Sequence, residues 1–254
     1  MQGMVPLSGF GGVPYSAVRK AAPRNILDNS DFTNLVAQAG IGGNHGTIAY
    51  AADRWILDSG TVSYEAGVGL TLNGTIRQKL EFPPTEETSA FVGMASGAAS
   101  ISYADGEVTI TSGGGVLKWA ALYVGVYTET TKPEYQPKGY GAELAECQRY
   151  YYKHNASTAL IAGCLFNTGV VRVGYILPVP MIKTPSVDVS DTSFDSIDIY
   201  ATSKVTTHPT SISVHAFTED STFLSLSLSW SFSATAGTAA NVRFNTSFSL
   251  IADL

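Results

Sequence analysis

The residues of this chain that could take part in chemistry are few and scattered, which favours binding over catalysis. Glu86 and Glu87 are adjacent in a stretch rich in Pro and Thr. They fit a solvated loop better than a glycosidase pair, whose two acids must face each other across the substrate. Ser213 and His215 would share one face of a strand, but no third partner or nucleophile-elbow glycine accompanies them. The sequence therefore predicts that the protein is not an enzyme.

Three aspartates near the start of the patterned sequence could supply oxygen ligands for calcium, namely Asp28, Asp31 and Asp53. The competing interpretation is that Asp28 and Asp31 cap turns, and that Asp53 pairs with Arg54 or with a backbone amide. We expect no cofactor, and calcium held by Asp28 and Asp31 is the one metal hypothesis.

The cysteines and histidines do not have the spacing of a zinc site. Cys147 and Cys164 are the two cysteines, too few for a disulfide framework in a chain of 254 residues, and both are expected to be buried thiols. The four histidines are single and widely separated.

Aromatic residues are the remaining candidates for function, because rings pack on the C–H faces of sugars while nearby polar groups meet the hydroxyls. They make up 11% of the chain and include 13 tyrosines. The tryptophans lie among alternating apolar residues and are expected mainly in cores. Consecutive tyrosines at 150–152 cannot all face one way on a helix, so at least one should be exposed. The candidate glycan contacts are Trp119, Tyr123, Tyr152 and His154.

The composition excludes other classes of partner. Charged residues are only 14% of the chain, the formal net charge is −6 and no Lys/Arg cluster occurs, so no nucleic acid is expected. The first residues lack the charged and apolar regions of a signal peptide, and no apolar run has the length of a membrane span. We expect a soluble product made in the cytoplasm, without membrane insertion.

The pattern along the chain predicts an all-β fold: two β-sandwich, jelly-roll-like domains joined by one short α-helix. Residues 1–24 are rich in Gly and Pro and predict an arm, followed by a first sandwich over 25–140 and a distal one over 156–254. Asp105-Gly106 lies between two alternating runs and predicts a hairpin. Leucines 224, 226 and 228 alternate with serines, and Val242, Phe244, Phe248 and Leu250 alternate in the same way.

The sequence "ELAECQRYYYK", residues 143–153, predicts the linking helix, with bounds of about 141–155. Leu144, Cys147 and Tyr151 would share its apolar face, because they are spaced at i, i+3 and i+7. Glu143 would lie elsewhere on the helix surface. A helix this short must dock on a sheet to be stable.

These segments resemble a β-sandwich module of phage tail and appendage proteins of gut bacteria. The resemblance rests on "NILDNSDF" followed by "YAADRWIL", on "GLTLNGTIRQKLEF", and on "YQPKGYGAELAECQRYYYK". It covers residues 25–190 well and the rest loosely. It departs from the family in "LYVGVYTET", which lacks an acidic residue before the glycine, and in having no collagen-like or coiled-coil shaft.

The resemblance implies a virion component, such as a tail or head fibre, that forms a homotrimer and adheres to host-surface carbohydrate. Residues 1–24 would attach it to other virion structural proteins. Arg54 and Trp55 would be structural, and the glycan would meet loops or the distal domain. A second hypothesis is a purely structural decoration or connector that binds no sugar. A tailspike-like depolymerase is disfavoured, since no regular β-helix repeats are visible.

Overall fold

The computed structural model describes residues 23–156, 160–189, 194, 197–201, 205–217, 222–230 and 236–252. The predicted arm therefore lies, up to residue 22, outside the described residues, and so does Phe232. Seven strands precede the helix: β1 Asn44–His45, β2 Ile48–Ala52, β3 Trp55–Glu65, β4 Gly69–Lys79, β5 Thr88–Ser96, β6 Ala99–Ala104 and β7 Glu107–Val124.

The helix α1 spans Tyr140–Gln148, and ten strands follow it in the described ranges. They are β8 Tyr151–His154, β9 Leu160–Asn167, β10 Val170–Ile176, β11 Ser186–Asp188, β12 Ile197–Ala201, β13 Val205–Thr207, β14 Ser211–Phe217, β15 Phe223–Ser229, β16 Ala239–Phe244 and β17 Phe248–Ile251. The predicted all-β class is confirmed. No helix in the described ranges has the length and apolarity needed to cross a membrane.

The first seven strands form one antiparallel sheet in the order β1-β2-β3-β4-β7-β5, with β6 also paired to β7. Strand β7 is 18 residues long, so it pairs with β6 along its first part and with β5 along its second part. Asp105 and Gly106 join β6 to β7 with φ angles of 51° and 80°, which confirms the predicted hairpin.

The strands after the helix form a two-layer sandwich. A seven-stranded sheet, β13-β12-β16-β9-β10-β15-β14, packs on a three-stranded sheet, β11-β17-β8, through one shared apolar core. The serine–leucine alternation is confirmed, because Leu224, Leu226 and Leu228 are fully buried between outward-facing serines. Strands β16 and β17 likewise bury the predicted side chains, Val242, Phe244, Phe248 and Leu250.

The linking helix is shorter than predicted and presents a different face. It ends at Gln148, and Tyr151 and Tyr152 instead lie on β8, where they pair with Ile251 and Leu250 of β17. Aromatic residues favour strands. Pairing with the edge of β17 stabilises these residues more than extending a short helix would. The buried residues of α1 are Glu143 and Cys147, so placing Glu143 on the helix surface was wrong.

Glu143 is buried because backbone N–H groups of the first loop face it. Its carboxylate accepts hydrogen bonds from the amides of Asn29 at 2.5 Å and Ser30 at 3.4 Å. Burial raises the pKa of this carboxyl, while the Lys138 ammonium and the Asn29 amide act in the opposite direction. The helix is thus docked by a polar contact across more than 100 residues of sequence.

Asn29 is the centre of this loop and is fully buried. Its side-chain amide donates to the carbonyls of Val36 at 2.8 Å and Asp53 at 2.7 Å, and its side-chain oxygen accepts from the Val36 amide at 2.9 Å. Its carbonyl accepts from the indole N–H of Trp55 at 2.9 Å. Its φ of 49° is in the left-handed region that Asn tolerates better than most residues.

The segments that carry the family resemblance meet around this loop. The Arg54 guanidinium lies 3.5 Å from the centre of the Tyr150 ring and donates to Asp28 at 3.2 Å. The Tyr150 hydroxyl donates to Glu81 at 2.6 Å. Arg54 and Trp55 are 6% and 0% exposed, so both are built into the interior.

The first sheet and β8 are joined through Gln38 and His45. The Gln38 side-chain amide donates both to Asp53 and to the Tyr151 carbonyl, each at 2.7 Å. The His45 ring is stacked between Tyr50, at 3.8 Å, and Tyr151, at 3.7 Å between centroids. The two halves of the chain therefore share a buried polar and aromatic junction.

The cysteine prediction is half correct. Cys147 is buried in α1, but Cys164 is exposed, and both are free thiols. Cys164 lies opposite Arg172 on β10 and Ala239 on β16, at a position of β9 that points away from the core.

We expect Asn29→Ala to destabilise the protein by about 3–5 kcal/mol. The change leaves two buried backbone groups, the Asp53 carbonyl and the Val36 amide, without a partner and places Ala in a left-handed conformation. Urea unfolding measures the loss, with Asn73→Ala, an exposed residue of β4, as a control expected to stay within about 0.5 kcal/mol. A similar small change for both variants would contradict the role assigned to Asn29.

Candidate functional site

The four predicted glycan contacts lie in two separate places. Trp119 and Tyr123 are on β7 beside the segment 125–139, which crosses from β7 to α1. Tyr152 and His154 are on β8, beyond the helix. The structure therefore brings each pair together but does not unite all four.

The segment 125–139, here called the crossing segment, is held against the first sheet. The hydroxyl of Ser89 on β5 accepts from the Tyr127 amide at 2.8 Å and donates to the Gly125 carbonyl at 2.9 Å. Farther along, the Tyr135 hydroxyl lies 3.3 Å from that of Ser30. These bonds fix two tyrosines of a segment that has no regular secondary structure.

Trp119 is a support for the crossing segment. Its ring stacks on Tyr135 with centroids 4.9 Å apart and planes 7° apart. On β5 its partner is Gly93, where a Cβ would come within 2.2 Å of the indole, so only glycine leaves room for the ring. The Lys132 ammonium lies 5.2 Å from the ring centre. These contacts occupy the indole.

A cavity of about 780 Å³ opens between β7, the crossing segment and the start of the described chain. This volume is within the usual range for sites that bind small ligands. Tyr123 and Tyr127 form its aromatic wall, with centroids 6.1 Å apart. Glu134 and Gln136 lie on its other side as exposed residues at alternate positions of the crossing segment.

Tyr123 has the unusual feature of this cavity. The residue is 2% exposed, and its buried hydroxyl has no hydrogen-bond partner. Burial raises the pKa of this phenol, so it stays a neutral donor. A buried hydroxyl without a partner costs free energy, and a ligand hydroxyl placed next to it would supply the missing bond.

The polar groups around the cavity are compatible with a neutral ligand rich in hydroxyls. Arg24 and Lys138 line it, but both are engaged with Glu146, at 3.4 and 2.5 Å. Lys138 also lies 3.5 Å from Asp28. The nearby cations are therefore neutralised by carboxylates outside the cavity lining.

Tyr152 and His154 line a second, more polar cleft of about 450 Å³, together with Gln38 and Gln148. The His154 Nδ1 atom is 2.6 Å from the Tyr175 hydroxyl, and its ring stacks on Phe248 at 4.8 Å. Burial lowers the pKa of His154, which favours the neutral ring. These contacts fix His154 within the distal core, and the cleft offers less aromatic surface than the cavity.

The two aspartates of the calcium hypothesis do not converge. Asp28 is paired with Arg54 and Lys138. Asp31 accepts from the amide and hydroxyl of Thr33, at 3.0 and 2.6 Å, which is a turn-capping arrangement. Within the described ranges, no group of three His, Cys, Asp or Glu side chains is arranged to hold a metal. Calcium binding stays a prediction.

Asp53, the third of these aspartates, accepts from the backbone amide of Gln38 at 3.0 Å. This contact is the backbone-amide pairing that the competing interpretation proposed for Asp53.

Sequence reasoning missed Tyr127, which lines the cavity, and Tyr135, which stacks on Trp119. Both belong to "GVYTETTKPEYQPKGYG", parts of which were considered for the family resemblance but not for binding. Tyrosines in a long connection were the available signal, since connections frequently carry binding residues.

Comparisons of the chain with protein-family models, with curated proteins and with solved structures give no match.

We expect Tyr123→Phe to leave stability unchanged or to raise it by up to about 1 kcal/mol, because it removes a buried hydroxyl without a partner. Tyr64→Phe is the matched comparison, since the Tyr64 hydroxyl donates to the Thr33 carbonyl at 3.1 Å. Its loss should cost about 0.5–1.5 kcal/mol in urea unfolding. A larger loss for Tyr123→Phe than for Tyr64→Phe would mean that the Tyr123 hydroxyl is bonded in solution.

Proposed function

We propose that the protein is a non-enzymatic virion appendage of a phage that adheres to host-surface glycans through the cavity beside the crossing segment. The observation that carries the proposal is the buried, unpartnered hydroxyl of Tyr123 in an aromatic-walled cavity. A hexose ring could pack on Tyr127, while its hydroxyls meet Tyr123, Glu134 and Gln136. Aromatic and polar groups combined in this way suit a ligand with one apolar and one hydroxylated side.

The virion assignment rests on the sequence resemblance and on the way its segments are used. Asn29, Arg54, Glu143 and Tyr150 come from the resembling segments and form one buried network. Such a network is the kind of internal framework that a shared module would need. Residues 1–24 would join the particle, and the glycan site would lie on the body of the protein.

The alternative is a structural decoration or connector that binds no sugar. The occupied rings of Trp119 and Tyr135 favour it, because they are stacked on each other. In that case the crossing segment would have only a structural role.

A glycan array and whole-cell binding assay separates these functions. The test variant should lack residues 1–22, because Pro23 and Arg24 line the cavity and must stay. We expect saturable binding to survive this truncation and to fall about three- to tenfold in Tyr127→Ala, from lost ring contact. Tyr140→Ala removes an exposed tyrosine outside the cavity and should bind normally. Absence of binding to any glycan or cell, with assembly onto virions retained, would favour the connector.

The resemblance also predicts a homotrimer. Light scattering of the full-length chain should give a mass near three times 26.8 kDa. Among the described strands, β14 is an edge of its sheet and carries no lysine to discourage pairing with another chain, so a closed assembly is the expected way of covering that edge. A clean monomer would overturn this prediction.

A further inference from the structure

The outer face of the seven-stranded distal sheet carries an arginine with no compensating charge. Within its seven described strands, Asp198 is the one carboxylate, and it is bonded to Arg243 at 2.5 Å and to Asn245 at 2.8 Å. The side chain of Arg172, on β10, forms no ion pair or hydrogen bond with any described residue, and its Nε atom is buried without a partner. Its charge is available for an anion.

An aromatic residue holds Arg172 in place. The guanidinium carbon lies 3.2 Å from the centre of the Phe166 ring, so the flat face of the guanidinium rests on the ring. Phe166 is 51% exposed, and His215 from β14 approaches it with ring centroids 6.4 Å apart. Stacking uses the face of the guanidinium, and because Nε is buried, the two terminal NH2 groups form the edge that is left for a ligand.

The surface beside this cluster is a row of hydroxyl groups. Arg172 is in register with Ser227 on β15, which is in turn opposite Ser213 on β14. Ser211 and Ser229 form the neighbouring pair. Glycine at 174, the next outward position of β10, leaves room for the Phe223 ring, since a Cβ there would come within 2.8 Å of that ring.

We propose that Arg172, Phe166 and His215 form a second site that binds an acidic saccharide. The guanidinium edge would take the two oxygens of a carboxylate or of a sulfate ester, as its planar fork does with oxyanions generally. The exposed part of Phe166 would pack on the sugar ring, and serine hydroxyls would meet those of the sugar. This site is separate from the cavity at Tyr123, where the nearby cations are already paired with carboxylates.

Fluorescence polarisation with labelled hexasaccharides tests the proposal on the full-length chain. The probes are hexagalacturonate, its methyl ester, which has the same rings without charge, and a sulfated heparin-derived hexasaccharide. We expect at least one acidic probe to bind about tenfold or more tightly than the ester. The probe that binds better identifies carboxylate or sulfate as the oxyanion.

Variants then place the binding at this cluster. Arg172→Gln should weaken the acidic probe about tenfold or more, and Arg172→Lys less, because it keeps the charge but loses the fork. Phe166→Ala should weaken it too. Lys183→Gln, which removes one charge from an exposed position outside the cluster, should bind normally. Arg172→Gln removes no described hydrogen bond, so its melting temperature should match that of the unmodified protein.

Three results would overturn the proposal. They are equal binding of the ester and the acidic probes, equal loss in Arg172→Gln and Lys183→Gln, and no binding of either acidic probe. If Arg172→Gln also lowered the mass measured by light scattering, the face would be an interface between copies of the chain. Because Tyr123→Phe should leave acidic-probe binding intact, failure here is distinguishable from failure of the cavity proposal.

Discussion

The fold of the first half depends on satisfying the buried polar groups of one short loop. Asn29 cannot reach water, so each of its hydrogen-bonding groups must find a protein partner. The partners come from Val36, Asp53, Trp55 and Glu143, which belong to three separate parts of the sequence. A buried polar group without a hydrogen-bond partner costs more free energy than an average hydrogen bond contributes. The loop therefore determines the path of the chain segments that supply its partners.

The same loop determines the shape of the proposed glycan cavity. Asn25 donates to the Ala120 carbonyl at 3.1 Å and accepts from the Leu122 amide at 2.9 Å, which fastens the loop along β7. It also donates to the Ser30 hydroxyl, which lies beside that of Tyr135. The crossing segment is thereby held at a fixed distance from Tyr123, and the cavity is the space that remains between them.

The sequence was most informative where the signal was local. Alternating leucines and serines predicted β15, and Asp105-Gly106 predicted the hairpin between β6 and β7, since both signals depend on neighbouring residues only. Glu143 was misplaced because helix periodicity treats a carboxylate as a surface group, and the loop amides that bury it are distant in sequence. Tyr151 was assigned to the helix because its strand partner, Ile251, is a hundred residues away.

The candidate site was foreseen only in part for the same reason. Tyr123 was selected as an aromatic residue, but its unpartnered hydroxyl is visible only once the crossing segment lies against β7. That segment lacks periodicity, so its path follows from contacts with Ser89 and Ser30 rather than from propensity. Arg172 drew no attention, because its lack of a partner is visible only once the sheet is assembled.

The central claim is that a glycan enters the cavity at Tyr123. A crystal structure of the protein with the tightest-binding oligosaccharide from the array tests it most directly. We predict a sugar ring packed on Tyr127, with one hydroxyl within hydrogen-bonding distance of the Tyr123 hydroxyl. A sugar bound elsewhere, with the cavity unchanged and the Tyr123 hydroxyl still without a partner, would contradict the claim.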